Sequence, residues 1–182
     1  MAKIKVTKIE AARRQIDTAI RMLFGAEDPI AVLTLISAAE RILRDIGAQK
    51  NAPIHQLHLE MLKPGTEKEF WSMVNRPANF LKHADKDPDD ILDNIDEKLN
   101  DIKIFISCLY YTDLQFTRSI EMDTFLTWFF VVNPHFINEE HAEAKEGYME
   151  FADIRNESRE AQLSAGFQLL NHTHDGAKPQ QM

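Results

Sequence analysis

The residues best suited to chemistry lie in one stretch, Asn75 to Asp90, where Arg76, Asn79 and His83 follow one another closely. Each supplies something that cleavage of a phosphate ester without a metal requires. An imidazole with an ordinary pKa near ~6.5 takes a proton from a 2′-hydroxyl, or returns one to a leaving oxygen, close to neutral pH. A guanidinium fork presents paired N–H donors to phosphoryl oxygens as they gain charge. A guanidinium, an amide and an imidazole at this spacing could converge on one small region, with the amide of Asn79 as the orienting group. Seven residues advance about 10 Å along an unbroken helix, close to two turns, which would set Arg76 and His83 on one face. Pro77 argues against such a helix, because proline lacks the ladder N–H and disfavours the α conformation in the residue before it. The expectation is a helix ending near Asn75 and a short new one opening at Pro77, where proline is tolerated. Asn79 and His83 then lie four apart on one face, with Arg76 at the mouth of the turn.

The string Arg76-Pro-Ala-Asn-Phe-Leu-Lys-His83, placed between the third and fourth helical patterns, resembles the HEPN superfamily (higher eukaryotes and prokaryotes nucleotide-binding). The resemblance covers roughly residues 7 to 112 and rests on the order of helices as much as on the letters. Pro77 stands where family members usually carry a polar residue. The resemblance implies an all-α fold, a four-helix up-down bundle, and a metal-independent endoribonuclease of the toxin or defence type. It gives the catalytic roles to Arg76 and His83, RNA as the substrate, and a homodimer that pools two copies of a sparse site. An antitoxin or another protein partner would follow, with no cofactor and no metal. The alternative is a non-catalytic helical module that binds a partner protein, a small ligand or a nucleotide, with His83 serving structure.

The elements that must position these residues are legible from periodicity. Thr7-Lys-Ile-Glu10 reads as a capping box, and Ile9, Ala12, Ile16, Ala19, Ile20 and Leu23 then recur at helical spacing up to Gly25. Asp28-Pro29 opens a second helix whose Val32, Leu35, Ile36, Ala39, Leu43 and Ile46 line one side before Gly47, with Ser37, Arg41, Arg44 and Asp45 on the other. The short link between them makes an antiparallel hairpin. Residues 48–65 read as a long loop with room for one helical turn. His55 and His58 lie within it, but no third ligand of matching spacing follows to complete a metal site. Thr66-Glu-Lys-Glu69 starts the third helix, and Asp87-Pro88 the fourth. That fourth helix is expected to carry a stripe from Ile91 through Ile102 and Ile106 to Tyr110, with Asp93, Asp96, Glu97, Asp101 and Lys103 turned to water. Beyond it, residues 113–171 form a helical extension packed on the 1–112 bundle. Its first helix, around Phe125 to Val132, is apolar on all sides and must be buried against the bundle or against a second subunit. Residues 172–182 are expected to be a disordered tail.

Composition limits the rest. The chain has 182 residues, 44% hydrophobic and 27% charged, with a formal net charge of −8. A broad phosphate-binding surface needs clustered Lys and Arg, and an acidic chain does not offer one. Residues 1–50 carry +3, leaving −11 for the remainder. Lys3, Lys5, Lys8, Arg13, Arg14 and Arg21 are thus either a local basic face or a solvated one. Cys108 is the lone cysteine, which excludes an intramolecular disulfide and suits a reducing cytoplasm. The longest apolar run, from Phe125 to Val132, is too short to span a bilayer.

Overall fold

The computed structural model describes residues 3–55, 67–85, 87–93, 96–134 and 154–176, and every regular element among them is helical. Helix α1 spans Lys8–Phe24 and α2 spans Pro29–Lys50. Their starts follow the expected chemistry. Thr7 Oγ1 accepts the Glu10 N–H at 3.1 Å, and Asp28 Oδ1 accepts those of Ile30 and Ala31 at 2.7 and 3.1 Å. Pro29 takes the first helical position, where its missing N–H costs nothing.

Helix α2 does not end at Gly47. It runs to Lys50 and closes on Asn51 in the left-handed conformation, φ 52°. Gly47 is there for a different reason: a Cβ at this position would stand 3.0 Å from the Tyr110 ring on the helix alongside. The glycine allows a close helix crossing rather than a stop. The expected loop also carries one short helical piece, residues 53–55, and its later part, with His58 and Thr66, lies outside the described residues.

Helix α3, Glu67–Phe80, continues through Pro77. The expected break at Arg76 is absent. Only one ladder bond is forfeited at the proline, and the final turn recovers, with Leu81 N donating to Pro77 O at 3.1 Å and His83 N to Asn79 O at 3.0 Å. Docking of Ala78, which is buried, and of Asn75 against α2 holds the segment helical where local preference alone would not.

Helix α4 spans Lys98–Asp113, so the Asp87-Pro88 pair does not open it. Asp87 and Asp90 form a turn, with Asp90 N on Asp87 O at 3.0 Å, and the Asp90 and Asp96 side chains accept the N–H of Ile91 and Lys98, each at 2.9 Å. Aspartate competes with helix in this way, and like charges spaced three or four apart, as in Asp89, Asp93 and Glu97, add repulsion. Ile91, expected to begin the buried stripe, is 69% exposed.

Helix α5 is Ile120–Val132, a 3-10 turn follows at Ile154–Asn156, and α6 is Arg159–Gly176. Phe125, Trp128, Phe129 and Val131 are fully buried within the single chain, where α5 packs against α1, α4 and α6. The Phe105 and Phe129 rings stack at 4.5 Å, and Phe24 meets Trp128 edge-on at 5.4 Å. One hydrophobic cluster thus runs from Ala12 on α1 to Leu170 on α6. Helix α6 continues through His172 to Gly176, so the helix extends past the point where a tail was expected. Leu170 is buried and Thr173 Oγ1 donates to Leu169 O at 2.8 Å, which carries order to that end. Residues 177–182 lie outside the described residues. No helix among the described residues is long and apolar enough to cross a membrane.

Candidate functional site

Among the described residues, helix α3 packs on α2, and its last turns, from Arg76 on, are partly open to solvent. Arg76 and Asn79 are exposed on its last turns, and His83 is exposed just beyond them. The backbone ties two of the three together, since His83 N donates to Asn79 O. No side-chain hydrogen bond or ion pair joins Arg76, Asn79 and His83 to one another or to another described residue. His83 is not packed into a helix corner. The chain that follows is strongly acidic: Asp85, Asp87, Asp89, Asp90, Asp93, Asp96 and Glu97 are all exposed. Ligand can reach this end of α3, and a polyanion would be repelled from the segment after it.

Comparison with protein-family models, curated proteins and solved structures gives no match. The chemistry of the chain must therefore be read from its own residues.

A second polar constellation begins one residue away in sequence, at Asn75. Asn75 Oδ1 accepts from Arg44 Nη2 at 2.9 Å, Arg44 Nη1 donates to Glu40 Oε1 at 2.7 Å, and Lys103 Nζ donates to Glu40 Oε2 at 2.6 Å. The three charged side chains are only 4–8% exposed. Arg44 and Lys103 were expected on solvated faces, and both are covered because Glu40 stands between them to neutralise the charge. Tyr110 borders this cluster, and burial pushes its hydroxyl up to about 12, against a lowering influence from Arg44. His55 Nδ1 lies 3.4 Å from that hydroxyl. Both oxygens of Glu40 are engaged, so the cluster is a clamp joining α2, α3 and α4. The i,i+4 spacing of Glu40 and Arg44 beside Ala39 and Leu43 was the available signal, but the partner on α4 could not be read from it.

The arginines of α1 do not form a free basic face. Arg13 pairs with Asp17 at 3.0 Å, Arg14 with Glu10, and Arg21 with Glu121. Burial raises Asp17, with the Ser119 hydroxyl, donating at 2.6 Å, opposing the shift. Cys108 is buried and its thiol is pushed far up by desolvation, which makes it an inert core residue. Among the described residues, no group of three or more His, Cys, Asp or Glu is placed to hold a metal ion.

Proposed function

We propose that this chain is a HEPN-like, metal-independent endoribonuclease of the toxin or defence type, with the four-helix up-down arrangement of that superfamily at its centre. The observation that carries the reading is the state of Arg76, Asn79 and His83, all exposed at one helix end and without side-chain partners among the described residues. His83 takes the proton from the attacking 2′-hydroxyl or gives one to the leaving oxygen, and Arg76 stabilises the phosphoryl oxygens in between. Asn79, tied through its carbonyl to the His83 backbone, orients the pair. A single trio is a sparse site, so the working form is a homodimer in which a second copy completes it. The covered state of α5 leaves this argument to the site alone, since that helix offers no apolar face for a partner. The acidic run after His83 confines RNA to the α3 side.

That same run favours a second reading, a non-catalytic module whose acidic segment docks a basic protein partner. One experiment separates the two. RNA cleavage under EDTA is measured for the wild type, His83→Ala and Arg76→Ala, beside light scattering and thermal melts. Cleavage by a wild-type dimer that both substitutions abolish, at unchanged melting temperature, supports the ribonuclease. Absence of cleavage by the intact wild type overturns it.

A further inference from the structure

Lys3, Lys5 and Lys8 have no role in the site described so far. They belong to the stretch Lys-Ile-Lys-Val-Thr-Lys that leads into α1, exposed throughout, with Ile4 at 78% and Val6 at 47%. Thr7, at φ −84° and ψ 164°, is extended and caps the helix. Further along, Arg13, Arg14 and Arg21 are each held by a carboxylate, and the nearest acid in sequence, Glu10, is the one that holds Arg14. The three lysines have no ion pair among the described residues. Their charge stands in a chain of net charge −8 whose exposed aspartates follow His83. A polyanion is steered toward such a stretch and away from the aspartates.

The fold sets this stretch and Arg76 at one end of the α1–α2 hairpin. Helices α1 and α2 pack on each other across the short link 25–28, so they run antiparallel. Along α1 from Phe24 back to Lys8, and along α2 from Pro29 on to Arg44, the axes advance about 24 and 22 Å. Lys8 and Arg44 are therefore both at the end remote from the link. Asn75 meets Arg44 there, and Arg76 follows it. Since α1 and α3 each pack on α2, their axes lie within about 20 Å, two interaxial distances of about 8–10 Å. A strand rises about 3.4 Å per nucleotide, so about six nucleotides cover that span.

We infer that residues 3–8 are a strap for the substrate: the ammonium groups of Lys3, Lys5 and Lys8 hold phosphates of the RNA strand whose scissile phosphate lies at Arg76. The RNA comes from the ribonuclease reading, on which the strap rests. Binding of a short 2′-O-methyl RNA strand, which has no attacking hydroxyl, is followed by fluorescence anisotropy under EDTA across a range of salt. The full chain is compared with Lys3→Gln/Lys5→Gln/Lys8→Gln, and cleavage of ordinary RNA is measured beside it. Each phosphate contact on a single strand adds about 0.7 to the slope of log affinity against log salt. The triple variant should therefore show a slope shallower by about 2 and bind about ten-fold or more weakly, at an unchanged melting temperature. Should it fail to fold, Lys3→Gln/Lys5→Gln, ahead of the helix, must still lower the slope by about 1. An unchanged slope with cleavage intact overturns the strap and leaves the nuclease. Lysine-dependent binding by a wild type that cleaves nothing upholds the strap and removes the nuclease. No binding of the strand, or lysine-dependent binding to phosphatidylserine vesicles in its place, overturns the strap.

Discussion

Arg44 donates a hydrogen bond to Asn75, the residue next to Arg76, and the two arginines have opposite fates. Arg44 is covered by α3, tied to Glu40 and, through Asn75, to the residue beside Arg76. Arg76 is exposed, with no side-chain partner among the described residues. The residue type is the same, so the difference comes from the facing helix: α4 brings Lys103 to Glu40, and that carboxylate makes burial of two cations tolerable. A charged group whose demands the protein already meets serves the fold, and one whose demands are unmet is available to a ligand. The clamp and the exposed end of α3 are thus adjacent in sequence and differ in how far the fold satisfies their charges.

The largest effect that can test this contrast is at the clamp. Glu40→Ala removes the carboxylate that buried Arg44 and Lys103 share, which should cost about 3 to 5 kcal/mol, read as a lowered urea midpoint. A loss as small as that of an exposed substitution would mean that water reaches the clamp, and the contrast with Arg76 would collapse. Packing on the covered side can be challenged without touching a charge. A Cβ at Gly166 of α6 would run into the Phe24 ring, so Gly166→Ala should destabilise by about 1 to 3 kcal/mol. At Gly47 the Tyr110 ring is less crowded, at 3.0 and 3.2 Å, and the roughly 1 kcal/mol that alanine gains in helix propensity offsets the contact. Gly47→Ala should therefore be nearly neutral in the same melt.

The covered carboxylates also predict a pH dependence. Burial raises Asp101 above its ordinary 3.8, with the Arg159 pair opposing the shift, and Asp17 is raised for the same leading reason. A raised carboxyl holds its proton more tightly folded than unfolded. These two groups therefore favour the folded state most below pH 3.8, and that contribution is lost as pH rises through their folded values. Asp101→Asn should flatten the fall in stability between those limits, whatever it does to the absolute value. An unchanged slope in urea titrations across that range would show that Asp101 is better hydrated than its burial implies.

Much of the fold was legible because helix starts and apolar periodicity are local. Thr7, Asp28 and Pro29 announce their helices, and the all-apolar helix at Phe125 to Val132 could only be buried. The misreadings share one cause, which is that a single chain segment does not reveal what lies across from it. Gly47 reads as a stop until Tyr110 is seen beside it. Pro77 reads as a break until Asn75 and Ala78 are seen docked on α2. Asp101 and Lys103 read as solvated until Arg159 and Glu40 arrive from other elements. Asp87-Pro88 failed for a local reason instead, the density of aspartates that prefer to cap turns. Arg76, Asn79 and His83 were expected to be accessible and are exposed, whereas their isolation from the clamp could not be read from the letters.

The smallest expected effect on stability is also the most discriminating. Asn75 and Arg76 are neighbours on α3, yet Asn75→Ala removes one acceptor of a buried guanidinium and should cost about 1 to 3 kcal/mol. Arg76→Ala and His83→Ala remove exposed side chains without described partners and should stay within about 0.5 kcal/mol of the wild type. If the endoribonuclease proposal holds, those two near-silent variants lose RNA cleavage under EDTA, while Asn75→Ala keeps it below its own lowered melting temperature. A cleavage activity that tracked stability across all three, falling with Asn75→Ala and surviving His83→Ala, would place the chemistry elsewhere. The three melts and three cleavage assays thus ask whether function follows the residue that the fold uses or the one that it leaves free.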